Sequence, residues 1–310
     1  MPPSPTPAPW RAPFLAHLST LGASPTFTLA TLHTHTHHHH HPGQPGPPAP
    51  AVTPRARTCV FRGLWATLPD NPHNAAPRNP RVYESDLPVF TTDARSEKVA
   101  AGGLLDDDYA GAAGAGPAER GTPVEACFWV ERVRTQWRVR GRAYVLGGGG
   151  GGAGGRAEAA ERREEEVRRV LLGRMRRVSI PDVPQGEERE QEGSGGLGWS
   201  FEREVTGHFG NLSPLMRGSF RGPAPGTPIA AEGSQREGEE LGQKVDDLED
   251  AGARRNFRVV VIVPEEVDQV DLSNELRPRR WLYVYRGVGG EAQLAGGEVI
   301  GEWEKVEVWP

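Results

Sequence analysis

Cysteine is nearly absent from this chain: Cys59 and Cys127 are the only two in 310 residues. Two thiols build no disulfide framework, and no CxxC pair exists for a zinc ribbon or a redox motif. Both sit in apolar, strand-like runs and read as reduced core thiols. Long apolar runs are also missing. None approaches the ~18 residues of a membrane-crossing helix. The start, MPPSPTPAPWRAPFL, lacks a basic stretch followed by an apolar one, so no secretory leader is expected and the cytoplasm is the default compartment. Neither sign of charge dominates, with 36 basic and 41 acidic residues and a formal net charge of −5. That balance excludes a general nucleic-acid or membrane-surface binder.

Familiar catalytic patterns are absent as well. There is no HExxH, no GxSxG and no GxGxxG after a strand, and the glycine run after Leu146 lacks the Lys-Ser/Thr of a P-loop. Outside one histidine-rich stretch only His17, His73 and His208 occur. That stretch, HTHTHHHHHPGQPGPPAPAVTP, has no neighbouring Cys, Asp or Glu and no fixed ligand spacing; it reads as an expanded loop between two strands, not as a metal site.

What the chain has in excess is glycine and proline, 40 and 29 residues. They cluster, which predicts disordered, low-complexity insertions at about 33–54, 147–156, 183–197 and 222–252 within one domain spanning 1–310. Between them the periodicities are clear. WRAPFLAHLSTL (10–21) has a helical rhythm with Trp10, Phe14, Leu15 and Leu18 on one face. TFTLATL (26–32), RARTCVFRGLWATL (55–68) and DLPVFTTD (86–93) read as strands. Residues 96–109 read as a helix. VEACFWVERVRTQWRVRGRAYVL (124–146) reads as two strands with a turn near Glu131–Arg134. Residues 157–175 form a strong helix pattern, and 198–220 is helical with a break at Pro214. The end is β again: NFRVVVIVPEEVDQVDL, RRWLYVYRG and WEKVEVWP. Strands outnumber helices and recur as hairpin-like runs, so a mainly β (α+β) antiparallel barrel is favoured over a doubly wound sheet.

The residues that carry chemistry are cations at strand ends. Arg57 and Arg62 bracket one strand. Arg95, Ser96 and Lys98 follow another in FTTDARSEKV. Gln136 sits in TQWRVRG, and Arg280 precedes Trp281. A phosphate monoester carries about two negative charges near neutral pH and is held by several Lys/Arg donors with hydroxyl and backbone N–H groups. Taken singly, each of these sites also fits a solvated strand end.

Their joint order resembles the pyridoxamine 5′-phosphate oxidase-like flavoproteins, and more closely the subgroup known only as related FMN-binding domains. The matching stretches are PAPWRAPFLAHL, RTCVFRG, FTTDARSEKV, ACFWVERVRTQWRVRG, LSPLMRGSFRGPAPGTP, ARRNFRVVVIVPEEVDQVDL and the terminal W…VWP. The resemblance implies a split β-barrel of antiparallel Greek-key type with flanking helices, and a homodimer with FMN at its interface. It implies that Arg57, Thr58, Cys59, Val60, Phe61 and Arg62 lie along the flavin, with Arg57 at the phosphate. It implies further contacts from Phe90, Thr91, Arg95, Ser96 and Lys98, from Gln136 at the ring edge, from Ser213 of the partner subunit, and from Arg280. The Arg-x-His pair that grips the oxidase substrate is not kept. Leu276 and Pro278 stand in its place, and Val270 replaces an expected tryptophan. The implied function is therefore FMN-dependent redox chemistry on an unidentified small molecule. The alternatives are a non-catalytic flavin-binding or flavin-sequestering protein, and a phosphate-recognising module without flavin.

Overall fold

The computed structural model describes residues 6–35, 51–99, 104, 121–148, 155–178, 198–230 and 240–310. The chain opens with helix α1 (Arg11–Ser19), then strands β1 (Thr26–His35), β2 (Ala51–Val60), β3 (Tyr83–Ser85), β4 (Val89–Asp93), β5 (Thr122–Val130) and β6 (Thr135–Leu146). Helix α2 (Gly155–Leu172), strand β7 (Met175–Arg177) and helices α3 (Phe201–Gly210), α4 (Pro214–Ser219) and α5 (Ala251–Asn256) follow. Strands β8 (Phe257–Asp271), β9 (Arg279–Tyr285), β10 (Glu298–Ile300) and β11 (Trp303–Val308) end it.

All named strand pairs are antiparallel, in the order β10-β11-β9-β8-β6-β5-β1-β2, with β4 on β8 and a separate β3-β7 pair. Strand β8 organises the fold. One edge pairs with β6 along nearly its whole length, while the other is divided, with Phe257–Val261 on β4 and Glu266–Asp271 on β9. The ladder alone is open. It is closed by the chain just after β2: Arg62 N–H donates to the Val89 carbonyl (2.8 Å), Val89 N–H to that of Gly63 (3.0 Å) and Trp65 N–H to that of Leu87 (2.9 Å). The circuit β4-β8-β6-β5-β1-β2 thus returns to β4 as a barrel, and β9, β11 and β10 extend from it as a sheet. This is the mainly antiparallel barrel that the strand pattern favours, and the split barrel that the resemblance implies.

Burial explains the patterns. In β8 the run VVVIV (259–263) is apolar on consecutive residues because both faces are covered. Val260 and Ile262 enter the barrel core with Phe27, Leu29, Phe61, Phe90, Phe128 and Trp137. Val259, Val261 and Val263 enter a second core with Trp65, Trp199, Phe209, Phe220 and Phe257, under the helices. Helix α1 plugs the barrel with Phe14, whose ring meets Phe61, Phe128 and Trp137 edge-on at 5.1–5.9 Å. Full burial of such a ring stabilises by about 1.5–3 kcal/mol. The β5-β6 turn falls where expected, as a 3-10 turn at Glu131–Val133 closed by Arg134 in the left-handed region, φ 48°.

Several expectations need correction. Residues 33–35 and 51–54, assigned to an insertion, continue the β1-β2 ladder as far as His35 opposite Ala51. Residues 96–99, expected to begin a helix, form tight turns: Ser96 N–H donates to the Asp93 carbonyl and Val99 N–H to that of Ser96. Of the remainder of that helix, only Leu104 is among the described residues. The insertion at 222–252 holds Val245 buried in the second core, pinned by Arg217 Nε donating to its carbonyl at 2.7 Å. Helix α2 ends at Leu172, and Met175 belongs to β7. The insertion at 183–197 lies outside the described residues.

Candidate functional site

Two cations converge beside Cys59. On β2, Arg57 and Cys59 share the face of Leu29, opposite Arg57 on β1, and Arg57 Nη1 donates to Thr31 Oγ1 at 2.7 Å. The turn after β4 brings Lys98 to the same place, where its Nζ donates to Thr92 Oγ1 (2.9 Å) and Ser96 Oγ (3.3 Å). Ser96 gives its own proton to the Asp93 carbonyl (2.7 Å), so toward Lys98 it can only accept. Burial pushes the Lys98 amine below its ordinary pKa, and Arg57 adds to the depression. Burial raises the Cys59 thiol, opposed by Lys98 and Arg57. Cys59 is therefore held as a thiol.

Neither Arg57 nor Lys98 forms an ion pair among the described residues; their side-chain partners are hydroxyls. An ammonium has three donors, and Thr92 and Ser96 use two, leaving the third with the Arg57 guanidinium for an outside acceptor. Two partly desolvated cations without a carboxylate suit a dianionic monoester. The donor set therefore fits the phosphate of FMN.

The other expected residues divide. Arg95 turns away from this cluster: it pairs with Asp93 at 2.7 Å and donates to the carbonyls of Phe220 and Gly222. Phe90 is fully buried against Phe27, which leaves only its backbone to meet a ligand, and Phe61 is likewise in the barrel core. Thr91 is half-buried and alternates with buried Thr92. Thr58 and Val60 alternate with Cys59 and Phe61 and so face outward. Gln136 also faces outward, beside fully buried Trp137. It lies in register with Val270, which lies opposite Arg280, so Gln136 and Arg280 share one row of the outer face. Arg280 is held there by Asp268, Nη2 to Oδ2 at 2.8 Å and Nε to Oδ1 at 3.1 Å, and Asp268 also binds Arg138. Ser213 is exposed and caps α4, its Oγ accepting from Met216 N–H. Within one chain the structure thus gathers Arg57, Cys59, Ser96 and Lys98, and sets Gln136 and Arg280 in a second group.

Sequence reasoning missed Thr31, Thr92 and Asp268. Thr92 had a signal, since it alternates with Thr91 next to the cations. Thr31 and Asp268 had none, because register brings them in from other strands. It also missed the surroundings of Arg62. That residue lies near His208 of α3, whose ring is parallel to Trp65 at a centroid distance of 6.1 Å. Burial first, then the Arg62 charge, lower the His208 pKa to about 3, so the imidazole stays neutral.

A mainly antiparallel split β-barrel with a half-buried, hydroxyl-lined pair of cations defines the class. Residues 7–147 match the family model described as "Pyridoxamine 5'-phosphate oxidase, FMN-binding domain". Among solved structures it is similar to a pyridoxamine 5′-phosphate oxidase-related FMN binding protein from Nostoc punctiforme PCC 73102, with 19% identity over 98% of both chains and a TM-score of 0.47. It is also similar to PhzG from Burkholderia lata 383, solved in complex with tetrahydrophenazine-1-carboxylic acid. There the identity is 12% over 96% of this chain and 89% of that one, with a TM-score of 0.40. No curated protein matches the chain in sequence.

Proposed function

We propose that the protein is an FMN-binding flavoprotein, and that it is a flavin-dependent oxidoreductase acting on a small molecule. The observation that carries this is the Arg57–Lys98 pair, two half-buried cations whose side-chain partners among the described residues are hydroxyls, in a chain whose residues 7–147 match an FMN-binding family model. Arg57 and Lys98 would hold the phosphate; Thr31, Thr92 and Ser96 would fix their heads. FMN, when bound, supplies hydride and electron transfer at its ring, so the chain itself need only bind, orient and shield. The separation of Gln136 and Arg280 from the cationic cluster supports a homodimer in which each flavin is held by both subunits. The two free cysteines support the cytoplasm as its compartment.

The vitamin B6 substrate is not expected to be turned over. Leu276 is exposed and has no side-chain donor, and Pro278 has neither a side-chain donor nor an N–H. The same departure favours, as a second reading, a protein that binds flavin without catalysis. Purification tests the proposal directly. A yellow protein that releases FMN on heating is the expected result; FAD, or a colourless protein, overturns it. Bleaching by a nicotinamide cofactor with recovery in air separates the oxidoreductase from the passive binder.

A further inference from the structure

Arg95 lies within the resemblance's set of cofactor ligands, yet four of the five N–H donors of its guanidinium are engaged elsewhere. Its Nε donates to Asp93 Oδ1 (3.0 Å) and its Nη2 to Asp93 Oδ2 (2.7 Å), a two-point fork. Its Nη1 donates to the Gly222 carbonyl (2.8 Å) and its Nη2 also to the Phe220 carbonyl (3.2 Å). A planar guanidinium can hold a carboxylate and two carbonyls at once; a lysine ammonium cannot reproduce that fork.

Asp93 is the pivot of the phosphate-side turn. Its Oδ1 accepts from Arg95 N–H (2.7 Å), and its carbonyl accepts from both Ser96 N–H (3.1 Å) and Ser96 Oγ–H (2.7 Å). Ser96 Oγ in turn accepts from Lys98 Nζ. An unbroken chain of bonds therefore runs from the carbonyls after α4, through Arg95, Asp93 and Ser96, to the Lys98 ammonium. The segment after α4 is itself fixed to the end of α5, since Asn256 Nδ2 donates to the Phe220 carbonyl (2.7 Å). The Asn256 carbonyl closes the loop by accepting from Ala94 N–H (2.7 Å).

We infer that Arg95 is a positioning residue and not a phosphate ligand: it locks the 93–96 turn to the 220–222 segment and so aims the Lys98 ammonium at the phosphate. This rests on the proposed FMN site. It adds that the phosphate cradle and the chain following α4 behave as one unit, so that disturbing either loosens the other.

The test uses the full-length protein stripped of cofactor, titrated separately with FMN and with riboflavin, which lacks the phosphate. The variants are Arg95→Ala, Arg95→Lys, Lys98→Ala and the Arg95→Ala/Lys98→Ala pair. Arg95→Ala is expected to weaken FMN roughly tenfold, the scale of one coupling interaction, and to leave riboflavin within twofold. Arg95→Lys is expected to behave like Arg95→Ala, and the double variant like Lys98→Ala alone. Additive losses, or rescue by lysine, would make Arg95 a direct ligand and overturn the inference. Equal losses for FMN and riboflavin would reduce its role to general folding and overturn it too. Should Arg95→Ala fail to fold, Asp93→Asn keeps the Oδ1 acceptor and drops the charge; it is expected to weaken FMN selectively, and no change would sink the idea. Wild-type protein that binds riboflavin and FMN equally would instead defeat the phosphate site itself, a result distinct from any of these.

Discussion

At the scale of single residues, the cationic pair makes the sharpest claim. A charge-assisted hydrogen bond contributes about 1.5–3 kcal/mol, so Lys98→Ala and Arg57→Ala are each expected to weaken FMN roughly tenfold to a hundredfold. Flavin-fluorescence titration reads this, and unchanged affinity removes the residue from the site. His208 makes a second claim. Its pKa falls from 6.5 in the unfolded chain to about 3 in the fold, so the unfolded state takes up the proton first. The stability it contributes is present above pH 6.5 and is lost as the pH falls from there toward about 3, at about 1.4 kcal/mol per pH unit. Glu204, one turn earlier on α3, is raised by burial and works the other way: its contribution is present below its ordinary value and is lost as the pH rises through its folded pKa. Comparing wild type with His208→Phe isolates the histidine. Denaturant unfolding at pH 7 and pH 5 should show a larger drop in wild type; parallel drops would mean that His208 does not titrate as described.

At the scale of elements, the β6-β8 pair depends on one glycine. The register shifts between Arg140 and Gly141, and a Cβ on Gly141 would sit 2.0 Å from the Val263 backbone carbonyl. No side chain can give way there. Gly141→Ala is expected to cost about 1–3 kcal/mol, the usual range for overpacking, and to lower the thermal midpoint; an unchanged midpoint would show that the bulge relaxes freely. The elements easiest to read from sequence were those with one buried face or two. Strand β5 alternates cleanly, and the run VVVIV in β8 is apolar throughout because two cores meet on it. The turn at 96–99 was misread because Ser96, Glu97 and Lys98 are all compatible with a helix start. What decides against it is Asp93, whose side chain and carbonyl capture the N–H groups of Arg95 and Ser96. Likewise 222–252 looked like insertion by composition, yet Val245 and the buried Arg217 tie it to α4.

At the scale of the whole molecule, the proposed dimer yields a complementation test. If each flavin needs Lys98 from one subunit and Arg280 from the other, homodimers of Lys98→Ala and of Arg280→Ala both bind weakly. Mixed and reassorted, they should regain tight FMN binding at one site of each heterodimer. No recovery in the mixture, with exchange of subunits verified by native mass spectrometry, would mean that one chain holds the cofactor alone. Free FMN should also raise the midpoint of thermal unfolding, since it binds the folded state only.

The amino-acid sequence by itself determined the strand-rich class, the two-faced burial of β8 and the presence of cations on β2 and just after β4, because alternation and local composition are properties of neighbouring residues. It also carried the family resemblance, since motif order survives where overall identity is low. Only the tertiary structure decided which cations meet. Arg57 and Lys98 converge because β2 and the turn after β4 are brought side by side when the barrel closes. Arg95, three residues before Lys98, is drawn off by Asp93 and two carbonyls more than 120 residues along the chain. Thr31 and Asp268 enter through strand register alone, and register between distant strands is fixed by the packing of both cores, which no local pattern encodes.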